Sequence, residues 1–162
     1  SRRVRYRSRN AGVNEFQSMS ACPVPLGRDV EFTKTISESD VYLYAGITGD
    51  FSPNHVNQTY MERSAWGKRM AHGMLLLGFV STTSTMAIAD TRGDTTQTPV
   101  AVGMDKVRFL RPVFLGDTVT TRYRIERFDE DKRRTHATVE LTNQNGELVA
   151  ACDHMLQWVA NG

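Results

Sequence analysis

Only two of the 162 residues are cysteine, Cys22 and Cys152. Two thiols so far apart, neither in a Cys-x-x-Cys pair, make no disulfide framework and no thiolate metal site. They fit a reducing compartment, with the cytoplasm as the expected location. Long apolar runs are missing too. No stretch approaches the roughly 20 residues that cross a bilayer, and the first residues lack the apolar core of a secretory signal, so no membrane is expected. Acids are absent from the first nine residues, which hold five arginines. That composition also suits an organelle transit peptide, so import stays open beside a plain tail. Without those arginines the net charge falls from +2 to −3. The remaining body is mildly acidic and offers no basic face for nucleic acid.

What is present is punctuated pattern. Residues 1–28 mix Arg, Ser, Asn, Pro and Gly without periodicity and read as an extended or flexible arm. Residues 29–162 form one domain, long enough for its own core. Val30–Ile36 alternates as a strand does, and Ser37 to Asp40 has the spacing of a capping box. A helix then runs to about Thr48, where Gly49 stops it. After a loop at Pro53, Asn57 can cap a short helix to about Arg63. The longest helix follows His72-Gly73. It is apolar on nearly every side, with Met74, Leu75, Gly78, Phe79, Thr82 and Met86 in one stripe, the profile of a helix enclosed by other structure. Beyond a polar loop at 90–98, four segments alternate: Val100–Met104, Val119–Ile125, Ala137–Leu141 and Leu148–Trp158. Turns at Pro112, Gly116-Asp117 and Asn145-Gly146 separate them. One strand, then helices, then an antiparallel meander predicts an α+β fold whose sheet wraps around the long central helix.

The chemistry concentrates between the first two helices. Asp50 and His55 lie five positions apart on a loop shaped by Gly49, Ser52 and Pro53, where side chains from different backbone directions can converge. Alone, Asp50 is an ordinary turn carboxylate and His55 an ordinary loop histidine. Asp-x4-His brings too few ligands for a metal, and none is expected. His72, at the entry of the long helix, suits a backbone-bonding role or that of a second catalytic group. Gly73 opens the helix, where free N–H groups and the dipole favour an anion; the alternative is a packing glycine. Ser81 starts a Ser/Thr run in which hydroxyls ordinarily bond back to helix carbonyls. His154 falls in an apolar alternation and reads as core or interface; His136 reads as exposed.

Three ordered blocks, Gly49-Asp50-Phe51-Ser52-Pro53-Asn54-His55, Ala71-His72-Gly73-Met74-Leu75 and Arg111-Pro112-Val113-Phe114-Leu115-Gly116-Asp117, resemble the R-specific enoyl-CoA hydratases, also called MaoC-like dehydratases. The resemblance spans roughly residues 30–159 and implies a hotdog fold working as a homodimer or higher homo-oligomer. It implies that Asp50 and His55 bind the catalytic water, that Gly73 donates its N–H to an oxyanion, and that Ser81 supports the substrate. No cofactor is implied, because coenzyme A is part of the acyl-CoA substrate. Ser52 stands where that family often has Asn, and Asn57 where it often has Asp. Two other activities fit the same blocks: a hotdog acyl-CoA thioesterase, and a non-catalytic acyl-CoA-binding or scaffold subunit.

Overall fold

The computed structural model describes residues 21–162. The first 20 residues of the expected arm lie outside them. Residues 21–28 pack on the body: Val24 is buried, the Gly27 N–H donates to the Ile125 carbonyl at 2.7 Å, and Arg28 pairs with Asp90 at 2.6 Å.

The chain forms β1 (Asp29–Thr35), α1 (Glu38–Thr48), α2 (Pro53–Val56), α3 (Gln58–Met61), α4 (Gly73–Ala87), a 3-10 turn (Ala89–Thr91), β2 (Gln97–Phe109), β3 (Thr118–Asp129), β4 (Arg134–Thr142) and β5 (Leu148–Ala160). The five strands make one antiparallel sheet in the order β1-β3-β4-β5-β2. The period of two is plain in β3, where Val119, Thr121, Tyr123 and Ile125 are buried while Arg122 and Arg124 face solvent. It recurs in β4 and across Cys152, His154, Leu156 and Trp158 of β5. α4 lies across the β1–β3 end of the sheet. Leu76, Phe79, Val80 and Ala87 join Val119, Tyr123, Ile125, Val139 and Trp158 in one core. Burial of each large apolar side chain there contributes roughly 1.5–3 kcal/mol. This is the expected α+β wrap.

Local signals set the helix ends. The Ser37 hydroxyl accepts from the Asp40 N–H at 3.2 Å and the Asp40 carboxylate accepts from the Ser37 N–H at 2.8 Å, which completes the capping box of α1. Gly49 ends α1 with φ of 80°, where a side chain is disfavoured. Asn57 caps α3 through the Tyr60 N–H at 2.9 Å.

Several expectations need correction. The Pro53 loop is a helical turn, α2, because proline at the first helical position has no N–H to lose. α3 ends at Met61 rather than near Arg63. The buried face of α4 is Leu76, Phe79, Val80, Thr83, Ser84 and Ala87; Met74, Gly78, Thr82 and Met86 of the expected stripe are exposed. Only one side of the helix meets this chain's sheet. On β2, Val100 and Val102 are also exposed, at the sheet edge. His136 is half-buried, with Nδ1 at 3.0 Å from Arg127 Nη2.

The polar turn inside α4 satisfies itself. Thr82, Thr83 and Thr85 donate their hydroxyls to the carbonyls four residues back, at 3.3, 2.6 and 3.0 Å, and Ser84 donates to the Ser81 carbonyl at 2.8 Å. Thr83 and Ser84 can therefore be buried without unpaired hydroxyls.

Candidate active site

Hydrogen bonds between backbone segments bring the three sequence blocks together. The Met70 N–H donates to the Asn54 carbonyl at 3.0 Å, and the Ala71 N–H to the Val113 carbonyl at 2.7 Å. Met70 also bridges to Phe114. The turn after Phe114 closes through Gly116, with φ of 94°, and Asp117, whose carboxylate accepts from the Phe114 N–H at 2.8 Å. The Gly116 N–H donates to the Ile36 carbonyl at 2.8 Å, which moors the third block at the end of β1.

His55 is 8% exposed, and its Nδ1 donates to the Met70 carbonyl at 2.8 Å. That bond fixes the tautomer with a lone pair on Nε2, which accepts from Asn54 Nδ2 at 3.1 Å. Desolvation pushes the His55 pKa below its ordinary 6.5, and the neighbouring His72 adds to the shift. His72 is 2% exposed and donates from Nε2 to the Asp50 carbonyl at 2.9 Å, while its Nδ1 has no partner among the described residues. The two imidazoles stack with centroids 3.7 Å apart, and the Tyr44 ring packs against His72 with centroids 4.6 Å apart. His72 thus holds the Asp50 backbone and the His55 ring together.

The Asp50 carboxylate is exposed. Oδ1 accepts from the Ser52 hydroxyl at 2.6 Å and from the Ser52 N–H at 3.2 Å. Those two bonds, the hydroxyl first, hold its pKa below the ordinary carboxylate value, and both imidazoles add to the effect. Asp50, His55 and His72 each bring a polar atom within 4.8 Å of the others.

His55 and Gly73 line one cleft of about 430 Å³, together with Trp66, Phe109 and Arg111. No side chain caps α4 above Gly73. A Cβ on Gly73 would meet the Phe109 ring at 3.0 Å, so a side chain at the helix entry would crowd that ring. The structure therefore gathers Gly49, Asp50, Ser52, Pro53, His55, His72 and Gly73. Ser81 is not among them: it sits two helical turns beyond Gly73, about 12 Å along the axis, on the exposed side of α4. His154 is buried in the core, with Nδ1 at 3.0 Å from the Tyr123 hydroxyl. The sequence reading missed Asn54, the Met70 carbonyl and Phe109. Adjacency to His55 was the only signal for Asn54; the other two act through tertiary contacts that spacing does not encode.

A five-stranded antiparallel sheet wrapped on one helix, with an acid and an imidazole beside that helix's entry, defines a hotdog-fold protein. Residues 22–147 match the model of the MaoC like domain, and the chain belongs to that family. It is 38% identical over 118 residues to the (R)-specific enoyl-CoA hydratase of Rhodospirillum rubrum, a match covering 70% of this chain and 76% of the relative. It is 34% identical over 102 residues to the 3-hydroxybutyryl-CoA dehydratase of Methylorubrum extorquens, covering 62% and 60%. Among solved structures, the unliganded R-hydratase PhaJ1 from Pseudomonas aeruginosa superposes with a TM-score of 0.73 at 26% identity, over 85% of this chain and 84% of that one.

Proposed function

We propose that this protein reversibly adds water to a trans-2-enoyl-CoA, giving the R-3-hydroxyacyl-CoA, with Asp50 and His55 sharing the water and Gly73 holding the thioester oxygen. The hydration of enoyl-CoA rests on the family and on the relatives' activities; the residue roles rest on the site. The observation that carries them is that an ionised carboxylate and a neutral imidazole bring an oxygen and a ring nitrogen within 4.8 Å of each other.

A water bound between them gives one hydrogen to Asp50 and one to His55 Nε2, where it takes the place of the Asn54 amide on that nitrogen's single lone pair. Two bonds of about 2.8 Å at a roughly tetrahedral angle span such a gap and turn the oxygen lone pairs outward. As the oxygen bonds to the β-carbon, the alkene electron pair moves to the thioester oxygen and the water proton passes to one of the two acceptors. The enolate then collapses onto the α-carbon and takes that proton back. The Gly73 N–H, at the positive end of α4, stabilises the oxygen while it carries charge. Each group in such a step is typically worth roughly 10²- to 10⁴-fold. The chemistry calls for no cofactor, since coenzyme A enters as part of the substrate. A homodimer fits the exposed apolar residues Val100, Val102 and Met74.

The test follows loss of enoyl-thioester absorbance with crotonyl-CoA, with product chirality and free thiol read in parallel. Wild type should form R product without thiol. Asp50→Asn and His55→Gln should each lower kcat by about 10²-fold or more. Thiol release would instead identify a thioesterase, and full activity in either variant would overturn the assignment of its residue.

A further inference from the structure

Asp50 and His55 reach the site from different segments, so their spacing depends on how those segments are tied together. Asp50 follows the C-terminal end of α1, whereas His55 hangs on Met70, whose carbonyl accepts from Nδ1 at 2.8 Å and whose N–H donates to the Asn54 carbonyl at 3.0 Å. The residue before Met70 reaches back to α1. Arg69 donates from Nη2 to Glu38 Oε1 and from Nη1 to the Tyr42 hydroxyl at 3.0 Å. Glu38 and Tyr42 lie one turn apart on α1, so the guanidinium fork spans that turn, 5.6 Å from the centroid of the Tyr42 ring. The Arg69 side chain is 15% exposed, and its Nε is buried with no partner among the described residues. The two ends of the fork hold it. On the backbone side the Arg69 N–H donates to Gln58 Oε1, and Gln58 Nε2 donates to the Gly67 carbonyl, both at 3.3 Å. Segment 67–70 is thus fastened to α3 by its backbone and to α1 by one side chain. Packing gives α1 little else, since only Val41 and Ala45 of its residues are fully buried.

We propose that Arg69 is a positioning residue: by tying α1 to Met70 it sets the distance between Asp50 and His55, and with it the gap that holds the water. Arg69 does not line the cleft, so it acts through the two groups that do the chemistry. The lever is the helix. An α-helix of 11 residues is about 16 Å long and tilts as one body, so a shift where Glu38 and Tyr42 are held reappears at the far end, where Asp50 leaves. At the other end of the tie, a displaced Met70 loosens the carbonyl that orients His55. A water bridging a carboxylate and an imidazole tolerates little of either movement, because a misplacement of roughly 1 Å can cost about 10²-fold in rate. The proposal rests on the hydratase reading for the reaction alone; the tie itself is structural.

Two readouts test it, one of them independent of turnover. With crotonyl-CoA, Arg69→Gln should lower kcat roughly tenfold or more and leave KM unchanged, since binding surfaces stay in place. Arg69→Lys keeps the charge but cannot reach Glu38 and Tyr42 together, so it should restore only part of the rate. The double variant Glu38→Gln/Tyr42→Phe should reproduce the loss from the α1 side, and adding it to Arg69→Gln should cost little more, because both remove the same tie. Arg122→Gln, which breaks the comparable Arg122–Asp29 pair on the sheet, serves as the control for stability and should keep full kcat. Nitrogen-15 spectra of the histidine rings give the second readout. Neutral His55 should carry its proton on Nδ1 in wild type, as the Met70 carbonyl requires, and a share of the Nε2–H form should appear in Arg69→Gln. Unchanged kcat in a folded Arg69→Gln protein overturns the proposal, and so does a loss that Arg122→Gln equals. If wild type hydrates no enoyl-CoA, the functional reading fails and the tautomer decides alone: a shift in Arg69→Gln upholds the tie, and a ring unchanged from wild type overturns it.

Discussion

His55 owes its protonation state to its neighbours. Burial removes the water that would stabilise an imidazolium, and the His72 ring, stacked with its centroid 3.7 Å away, adds to the downward shift. The Nδ1 bond to the Met70 carbonyl leaves Nε2 as an acceptor at neutral pH. Protonation removes that acceptor, so activity is lost on the acid side. Because the pKa lies below the ordinary 6.5, kcat/KM should stay level as pH falls through 6.5 and decline only beneath it. His55→Gln should abolish that limb along with most of the activity. Asp50 is held below 3.8 by Ser52 and stays ionised over the same range. A pH–rate series between 4.5 and 8 with crotonyl-CoA checks this, and a decline centred above pH 6.5 would contradict it.

At the scale of elements, α1 delivers Asp50 by stopping on time. Gly49 ends the helix in a left-handed conformation, with its N–H on the Ala45 carbonyl at 2.8 Å, and Asp50 departs from there toward Ser52 and His72. Gly49→Ala should cost about 1–2 kcal/mol, the penalty for a Cβ in that region, and should lower kcat as well, since the strain relaxes through the next residue. Thermal unfolding and steady-state kinetics on one preparation separate the two effects. Both ends of α1 were legible in the sequence because a capping box and a stopping glycine act within four residues. α2 was not, since Ser52-Pro53 punctuates a loop and starts a helix equally well. The buried face of α4 was illegible for another reason. A helix apolar all round has no periodicity with which to choose a side, and the choice falls to whichever strands cross it. The Asp50/His55 pair stood out through the resemblance of its sequence block rather than through spacing, while Asn54 and the Met70 carbonyl, which hold His55 across chain segments, did not.

For the whole molecule, three histidines titrate below their ordinary value for one leading reason, the desolvation of His55, His136 and His154. The unfolded chain takes up protons near pH 6.5 that the folded chain refuses, so stability is intact above that pH and falls as pH drops beneath it. Urea unfolding at pH 7.5 and pH 5.5 should show a lower midpoint in acid with a similar slope, and His154→Gln should reduce the difference. The sheet continues this theme of one protected side. β2 is an edge strand with register shifts between Ala101 and Gly103 and between Asp105 and Arg108, and Lys106 there has φ of 52°. Such bulges restrict which strands can pair with it. Finally, the hydroxyls of Thr83 and Ser84 bond only to carbonyls of their own helix. Replacing either by an apolar side chain strands no partner elsewhere in the core, because each carbonyl belongs to the helical backbone. This one buried turn is therefore a place where interior volume can be enlarged or reduced between related proteins while the rest of the hydrogen-bond pattern stays closed.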